Sequence, residues 1–82
     1  MRKIFVGSLS WGTEADSLSQ HFSAVGTVEE AIVIKDRETK RSKGFGFVTF
    51  ANQDEANRAV EELDNSLLDG RNIKVSIAKE RR

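Results

Sequence analysis

The 82-residue chain has no cysteine, no proline and no tyrosine, and only one tryptophan, one histidine and one methionine. Without cysteine there is no disulfide framework, no thiolate nucleophile and no cysteine-containing zinc site, which fits a reducing intracellular compartment. The one histidine, His21, falls in a predicted helix and is expected on its surface. The carboxylates spread over the predicted helices as solvated charge. No spacing of histidine, aspartate and glutamate matches a metal site or a nucleophilic triad, so neither a cofactor nor catalysis is expected. No uninterrupted apolar stretch approaches the ~20 residues needed to cross a bilayer. The short apolar run near the start is interrupted by Ser8, Ser10 and Gly12, unlike a signal peptide. The expectation is a soluble protein with no membrane partner, cytoplasmic or, in a eukaryote, nuclear. Excess charge of one sign is missing too: 13 basic and 13 acidic residues cancel, so whole-chain basicity, the usual footprint of a polyanion binder, is absent.

The distribution of charge says more than the sum. Acidic residues gather in the predicted helices and before the second strand. Basic residues form three groups: Arg2 and Lys3; Lys35, Arg37, Lys40, Arg41 and Lys43; and Lys74, Lys79, Arg81 and Arg82. If the fold brings these groups around one face, the molecule is a dipole with a positive working side.

The hydrophobic pattern gives one domain, residues 1–82, with the order strand, helix, strand, strand, helix, strand. Ile4 and Val6 alternate with Lys3 and Phe5 in a first strand from Lys3 to Val6 or Gly7. After a loop over Ser8–Gly12, Thr13 is the expected N-cap of a helix from about Glu14 to Ser23, with Ala15, Leu18 and Phe22 at helical spacing. Gly26 is the expected left-handed residue that ends it. Val28–Lys35 reads as a strand with Ala31 and Val33 on one face and Glu30, Ile32 and Ile34 on the other. A charged hairpin loop, Asp36–Ser42, leads into the next strand. Asn52 caps the second helix with Glu55 at the reciprocal position, and Ala56, Ala59, Val60 and Leu63 form its apolar stripe. Asp64–Ser66 breaks it, Asp69-Gly70 marks a tight turn, and Ile73, Val75 and Ile77 alternate with Lys74, Ser76 and Ala78 in the last strand. This is the α+β, ferredoxin-like βαββαβ arrangement, a four-stranded antiparallel sheet with two helices on one face. Right-handed crossovers put the first and third strands in the middle.

Register then places Val48 and Phe50 inward, with Gly44 and Gly46 beneath closely packed helices, and Lys43, Phe45, Phe47 and Thr49 outward; the opposite register would bury Lys43 and expose Val48 and Phe50. Phe5 is therefore brought beside Phe45 and Phe47 on the helix-free face. The segment Lys43-Gly44-Phe45-Gly46-Phe47-Val48-Thr49-Phe50 resembles the octamer of the RNA recognition motif at each defined position, and Ile4-Phe5-Val6-Gly7-Ser8-Leu9 resembles its companion hexamer. Gly-Ser-Leu-Ser-Trp in the first loop, Lys35 to Phe50, and Asp69-Gly70-Arg71 are similar to the cold-inducible and glycine-rich RNA-binding proteins within that family. Those proteins usually continue into a glycine-rich tail, which the 82 residues do not contain, so the expected activity is that of the domain without a tail.

The resemblance implies a monomeric binder of single-stranded RNA, and of single-stranded DNA as well, with modest sequence preference and a role in RNA chaperoning or post-transcriptional regulation. It implies that Phe5 and Phe45 stack on two adjacent bases, that Phe47 packs against the sugars between them, and that Lys43 contacts phosphate or a base edge. Lys3, Glu30, Ile32, Ile34, Lys74, Ser76 and Ala78 take outward positions on the same face, where each reads equally as a base contact or a plain solvent-facing residue. Arg41 and Lys79 are the further candidate cations. Arg37, Lys40 and Arg41 read either as a solvated hairpin loop or as a phosphate track, and Trp11 either as a cover for the end of the core or as a ligand neighbour. The rival function is a peptide-binding module on the same fold. Gly7-Ser8-Leu9-Ser10 is too generic for a phosphate-cradling loop of an enzyme.

Overall fold

The computed structural model describes residues 2–78, apart from the side chain of Ser42. Its elements are β1 (Lys3–Gly7), α1 (Ala15–Phe22), β2 (Val28–Lys35), β3 (Ser42–Phe50), α2 (Gln53–Leu63), β4 (Leu67–Leu68), β5 (Arg71–Asn72) and β6 (Lys74–Ile77). The main sheet has the order β2-β3-β1-β6 and every neighbour pair is antiparallel. The ferredoxin-like expectation holds, with the first and third strands central. None of the helices among the described residues is long and apolar enough to cross a membrane.

The core forms between one face of the sheet and the two helices. Ile4, Val6, Val48, Phe50 and Val75 meet Leu18 and Phe22 of α1 and Ala56 and Ala59 of α2, all buried. Strand residues two apart share a face and helix residues three or four apart share a stripe, so these spacings are what a single apolar layer requires. Phe22 meets Phe50 edge-on, with ring centroids 6.3 Å apart. Alanines on α2 let that helix approach the sheet closely, and Asn52 caps it by accepting the Glu55 amide at 2.9 Å.

Several local expectations are corrected. Position 14, not 13, is the N-cap of α1, and it makes no side-chain cap bond. Thr13 is instead buried, and its hydroxyl donates to Asp69 Oδ2 at 2.8 Å, tying the start of α1 to the turn between β4 and β5. Glu55 does not return the Asn52 bond; its carboxylate accepts the Thr27 amide at 3.1 Å. Gly26 has no left-handed conformation, and its requirement is spatial: a Cβ there would come within 2.7 Å of the Glu55 side chain. The β4–β5 hairpin was not expected as such. Its Asp69-Gly70 turn has φ of 51° and 84°, the paired positive values of a type I′ turn.

Gly44 and Gly46 do not accommodate helices. Gly46 faces the backbone of the neighbouring strand, where an added Cβ would lie 2.2 Å from the Ile32 carbonyl oxygen. Gly44 has φ of 85° and lies in an irregular stretch of the β2–β3 pairing between Val33 and Lys35. The two glycines thus shape β3 against β2. Gly46→Ala is expected to lower stability by about 2 kcal/mol, because backbone on the adjacent strand cannot step aside as a side-chain tip can. The urea midpoint reads this out, and Gly12→Ala, with nothing within 4 Å of the added carbon, should be nearly silent; equal midpoints for the two variants contradict the account.

His21 is half-buried rather than a plain surface residue. Its Nε2 lies 2.9 Å from Ser66 Oγ and its ring stands edge-on to Phe22. Burial holds its pKa below the ordinary 6.5, opposed by the Asp69 carboxylate. The unfolded chain therefore takes up this proton first on acidification, so the His21 contribution is complete above the unfolded value and is lost as pH falls through the folded one. Denaturant titrations should show lower stability at pH ~5.5 than at pH ~8, with a smaller difference in His21→Gln. An unchanged difference in that variant would show that His21 is not the group responsible.

Candidate nucleic-acid interface

The face of the sheet away from the helices is organised by two registers. Phe5 pairs with Phe47 on one side and Ser76 on the other, and Phe47 pairs with Ile32, so Ser76, Phe5, Phe47 and Ile32 form one row across four strands. Lys3, Thr49 and Glu30 form the adjacent row. The Phe45 ring centroid lies 5.8 Å from that of Phe5 at an interplanar angle of 32°, and Phe47 is also 5.8 Å from Phe5, edge-on at 68°. All three rings are half-exposed. The expectation of converging rings on the helix-free face is met.

Two neighbours set the posture of these rings. Gly7 lies beneath Phe5: a Cβ at position 7 would be 2.9 Å from Phe5 Cε2, so any side chain there would push the ring aside. The Lys3 ammonium sits 4.9 Å from the Phe47 centroid, within cation–π range, which fixes a positive charge beside an aromatic face. Gly7 carries a role that the pattern alone did not reveal, although its place two residues after an outward aromatic is the signal that could have found it.

The other candidates divide by position. Ile32 and Ser76 are in the ring row, Glu30 is in the Lys3 row, and all three share the open face. Ile34 is half-buried outside the core cluster, and the Ala78 amide donates to the Lys3 carbonyl at 3.0 Å, extending β6 along β1. Lys74 pairs with Gly7 and its ammonium bonds Asn65 Oδ1. The Thr39 and Glu38 amides hold the Asp36 carboxyl below its ordinary range, with a smaller contribution from the charge of Lys43, which is exposed in the irregular stretch of β3. Arg41 is exposed in the β2–β3 loop. Lys79, with Arg81 and Arg82, lies outside the described residues.

The three-cluster picture of charge is accordingly narrowed. Arg2 pairs with Glu29 at 3.0 Å and Lys35 with Glu14 at 3.2 Å, both exposed pairs of small energetic weight. Among the described residues, Arg37, Lys40, Arg41 and Lys43 have no ion-pair partner, so available positive charge concentrates at the β2–β3 end of the sheet. Trp11 does not cover the core, since it is 70% exposed. Leu9 takes that place: it is 3% exposed, and its amide donates to the Gly44 carbonyl at 2.8 Å.

An open sheet face with three converging, half-exposed rings and cations at one end can stack planar groups in a row. The family model of the RNA recognition motif matches residues 4–74. The chain belongs to the RNA recognition motif family. Over 79 residues, 96% of its length, it is 57% identical to glycine-rich RNA-binding protein 4, mitochondrial, of Arabidopsis thaliana, covering 58% of that protein. It is 54% identical over the same length to glycine-rich RNA-binding protein 1 of Mycosarcoma maydis, covering 45% of it. The chain spans about half the length of the curated relatives it matches. Among solved structures, the crystal structure of RNA Binding Protein PG1 superimposes with a TM-score of 0.92 at 40% identity, covering 100% of this chain and 99% of that one.

In this RNA recognition motif the rings and the core alternate along the same strands, and the alternation separates their energetics. Phe50→Ala removes a fully buried ring and is expected to cost about 3–5 kcal/mol. Phe45→Ala removes a half-exposed ring whose aromatic neighbour is Phe5, and about 1 kcal/mol is expected. Paired chemical denaturation checks this, and a larger loss for Phe45→Ala than for Phe50→Ala would contradict the assignment of faces.

Proposed function

We propose that residues 1–82 work as one monomeric domain that binds single-stranded RNA across the open face of the sheet. The observation that carries this reading is the convergence of Phe5, Phe45 and Phe47, with 5.8 Å between ring centroids, on a face that the helices leave uncovered. Phe5 and Phe45 stack on adjacent bases, Phe47 packs against the sugars, and Lys3 and the β2–β3 loop cations meet phosphate. The names of the relatives, RNA-binding proteins of the glycine-rich group, support it. Every base has a π-face, so this recognition tolerates sequence and extends to single-stranded DNA. The domain is a binding module rather than a catalyst, suited to RNA chaperoning or post-transcriptional regulation. A cytoplasmic location is the simplest one for it, although relatives named as mitochondrial and chloroplastic use the same domain elsewhere.

Each stacked base contributes about 1–3 kcal/mol, so two or three support micromolar binding once ordering costs are subtracted. The peptide-binding alternative is disfavoured because the aromatic trio is unmasked and a cation sits on it. Fluorescence anisotropy of a labelled single-stranded RNA should show that Phe45→Ala/Phe47→Ala binds at least about tenfold more weakly while its far-UV spectrum is unchanged. Parent affinity should fall with added salt at a slope of about −0.7 per neutralised phosphate. A double variant that binds as the parent does would refute the platform, and salt-insensitive affinity would favour a peptide.

A further inference from the structure

Two strands, β2 and β6, end the main sheet, and they differ. β6 is four residues long and opens on Lys74, whereas β2 is eight residues long. Among the described residues, no strand lies beyond β2 and no loop or side chain hydrogen-bonds its backbone from the free side. An unpaired edge is a row of amides and carbonyls that accepts another strand, and folded proteins blunt it with bulges and charge. β2 is blunted at its ends, where its pairing with β3 is irregular between Val28 and Glu30 and between Val33 and Lys35. In the middle, Glu30, Ala31, Ile32 and Val33 run in unbroken register with Thr49, Val48, Phe47 and Gly46. These residues form a regular edge whose last three members are uncharged.

Beside this edge runs a groove of about 490 Å³, bounded by Ala31, Ile32 and Val33 on the strand and by Ala15 and Asp16 at the first turn of α1. Ala31 and Val33 pack towards the core, while Glu30 and Ile32 share the open face with the rings. At one end, the Lys35 ammonium meets both Glu14 carboxylate oxygens, at 3.2 and 3.3 Å, and the two charges cancel. Asp16 and Glu30 are exposed and have no ion-pair partner among the described residues. The charge left over is therefore negative on both faces of the edge, and that sign repels a polyanion. A second copy of this chain would bring its own Asp16 and Glu30 to the same place. Charge complementarity instead selects a basic segment: main-chain bonds along the edge, small apolar side chains against Ala15, Ala31 and Val33, and cations near Asp16 and Glu30.

We propose that the free edge of β2 is a protein-docking site, which takes an extended basic segment of a partner protein as a fifth strand of the sheet. Phe5, Phe45 and Phe47 stand on β1 and β3, so a strand added beyond β2 leaves them open. The docked segment is thus a second partner beside the sheet face, and the domain can hold both at once. The irregular ends of β2 confine the pairing to a short stretch, so the edge discriminates by the side chains that flank it rather than by length.

The test needs no RNA, so its failure is separate from any failure of the RNA reading. The probe is the end-blocked peptide Lys-Lys-Val-Lys-Val-Lys-Lys, titrated into the protein and followed by amide nuclear magnetic resonance and hydrogen exchange. Shifts should centre on residues 15, 16 and 30–33, exchange should slow at alternate amides of residues 30–33, and the three platform rings should not move. Every second amide of an added strand faces β2, so N-methylation of one alternate set in the probe should weaken binding at least about tenfold and methylation of the other set should not. Asp16→Lys should bind the probe about fivefold more weakly and should bind the glutamate-for-lysine counterpart better than the parent does. Absence of protection at residues 30–33 with millimolar probe would overturn the proposal. Equal effects of the two methylated sets would overturn it too, since binding would then rest on charge without strand addition. An Asp16→Lys variant with the parent's preference would refute the partner chemistry, and a free protein that already dimerises through β2 would assign the edge to a second copy instead.

Discussion

The pairing of β1 with β3 is the constraint on which both faces of this sheet depend. Ile4 opposite Val48 and Val6 opposite Gly46 supply the helix side, while Phe5 opposite Phe47 and Lys3 opposite Thr49 supply the open side. Because side chains alternate with a period of two, a slip of one residue would send Phe5 into the core and Ile4 into water. The buried residues at positions 4, 6, 48 and 50 hold the register, and the register in turn holds the rings of residues 5, 45 and 47 together. The free energy of the core thus fixes the geometry of a surface to which the core contributes no atoms. This is a preorganised site on rigid elements, and preorganisation lowers the ordering cost of binding.

Glycines complete the arrangement by removing atoms. Gly46 lets β3 lie against the Ile32 carbonyl, Gly7 makes room for the Phe5 ring, and Gly44 turns β3 with positive φ so that Leu9 can bond its carbonyl. Each costs some backbone entropy relative to alanine. In return the middle strand is pressed against its neighbour, an aromatic ring lies flat along its own strand, and the first loop is pinned beside the hairpin loop. Among the described residues, Arg37, Lys40, Arg41 and Lys43, which have no ion-pair partner, lie at that same end, so a chain with zero net charge still presents a positive edge to a polyanion.

Much of this was legible from the residues. Alternation in Lys3–Val6 and in the 43–50 octamer gave the faces, and the order of periodic segments gave the topology, because both signals come from burial, which the whole fold must satisfy. What the pattern misassigned was short-range and depended on tertiary neighbours. Thr13 has the chemistry of an N-cap, but its hydroxyl is used by Asp69, 56 residues away. Gly26 has the chemistry of a helix terminator but is selected by the nearby Glu55 side chain. Gly44 and Gly46 announce close approach without saying to what. Trp11 could be read either way until Leu9 was seen to take the buried position.

The most direct test of the central claim is nuclear magnetic resonance of the protein bound to a short single-stranded RNA, with intermolecular nuclear Overhauser effects assigned between base protons and phenylalanine ring protons. Contacts from bases to Phe5 and Phe45, and from ribose protons to Phe47, are the predicted result. RNA contacts confined to the outer surfaces of α1 and α2, with the three rings unperturbed at saturation, would contradict it.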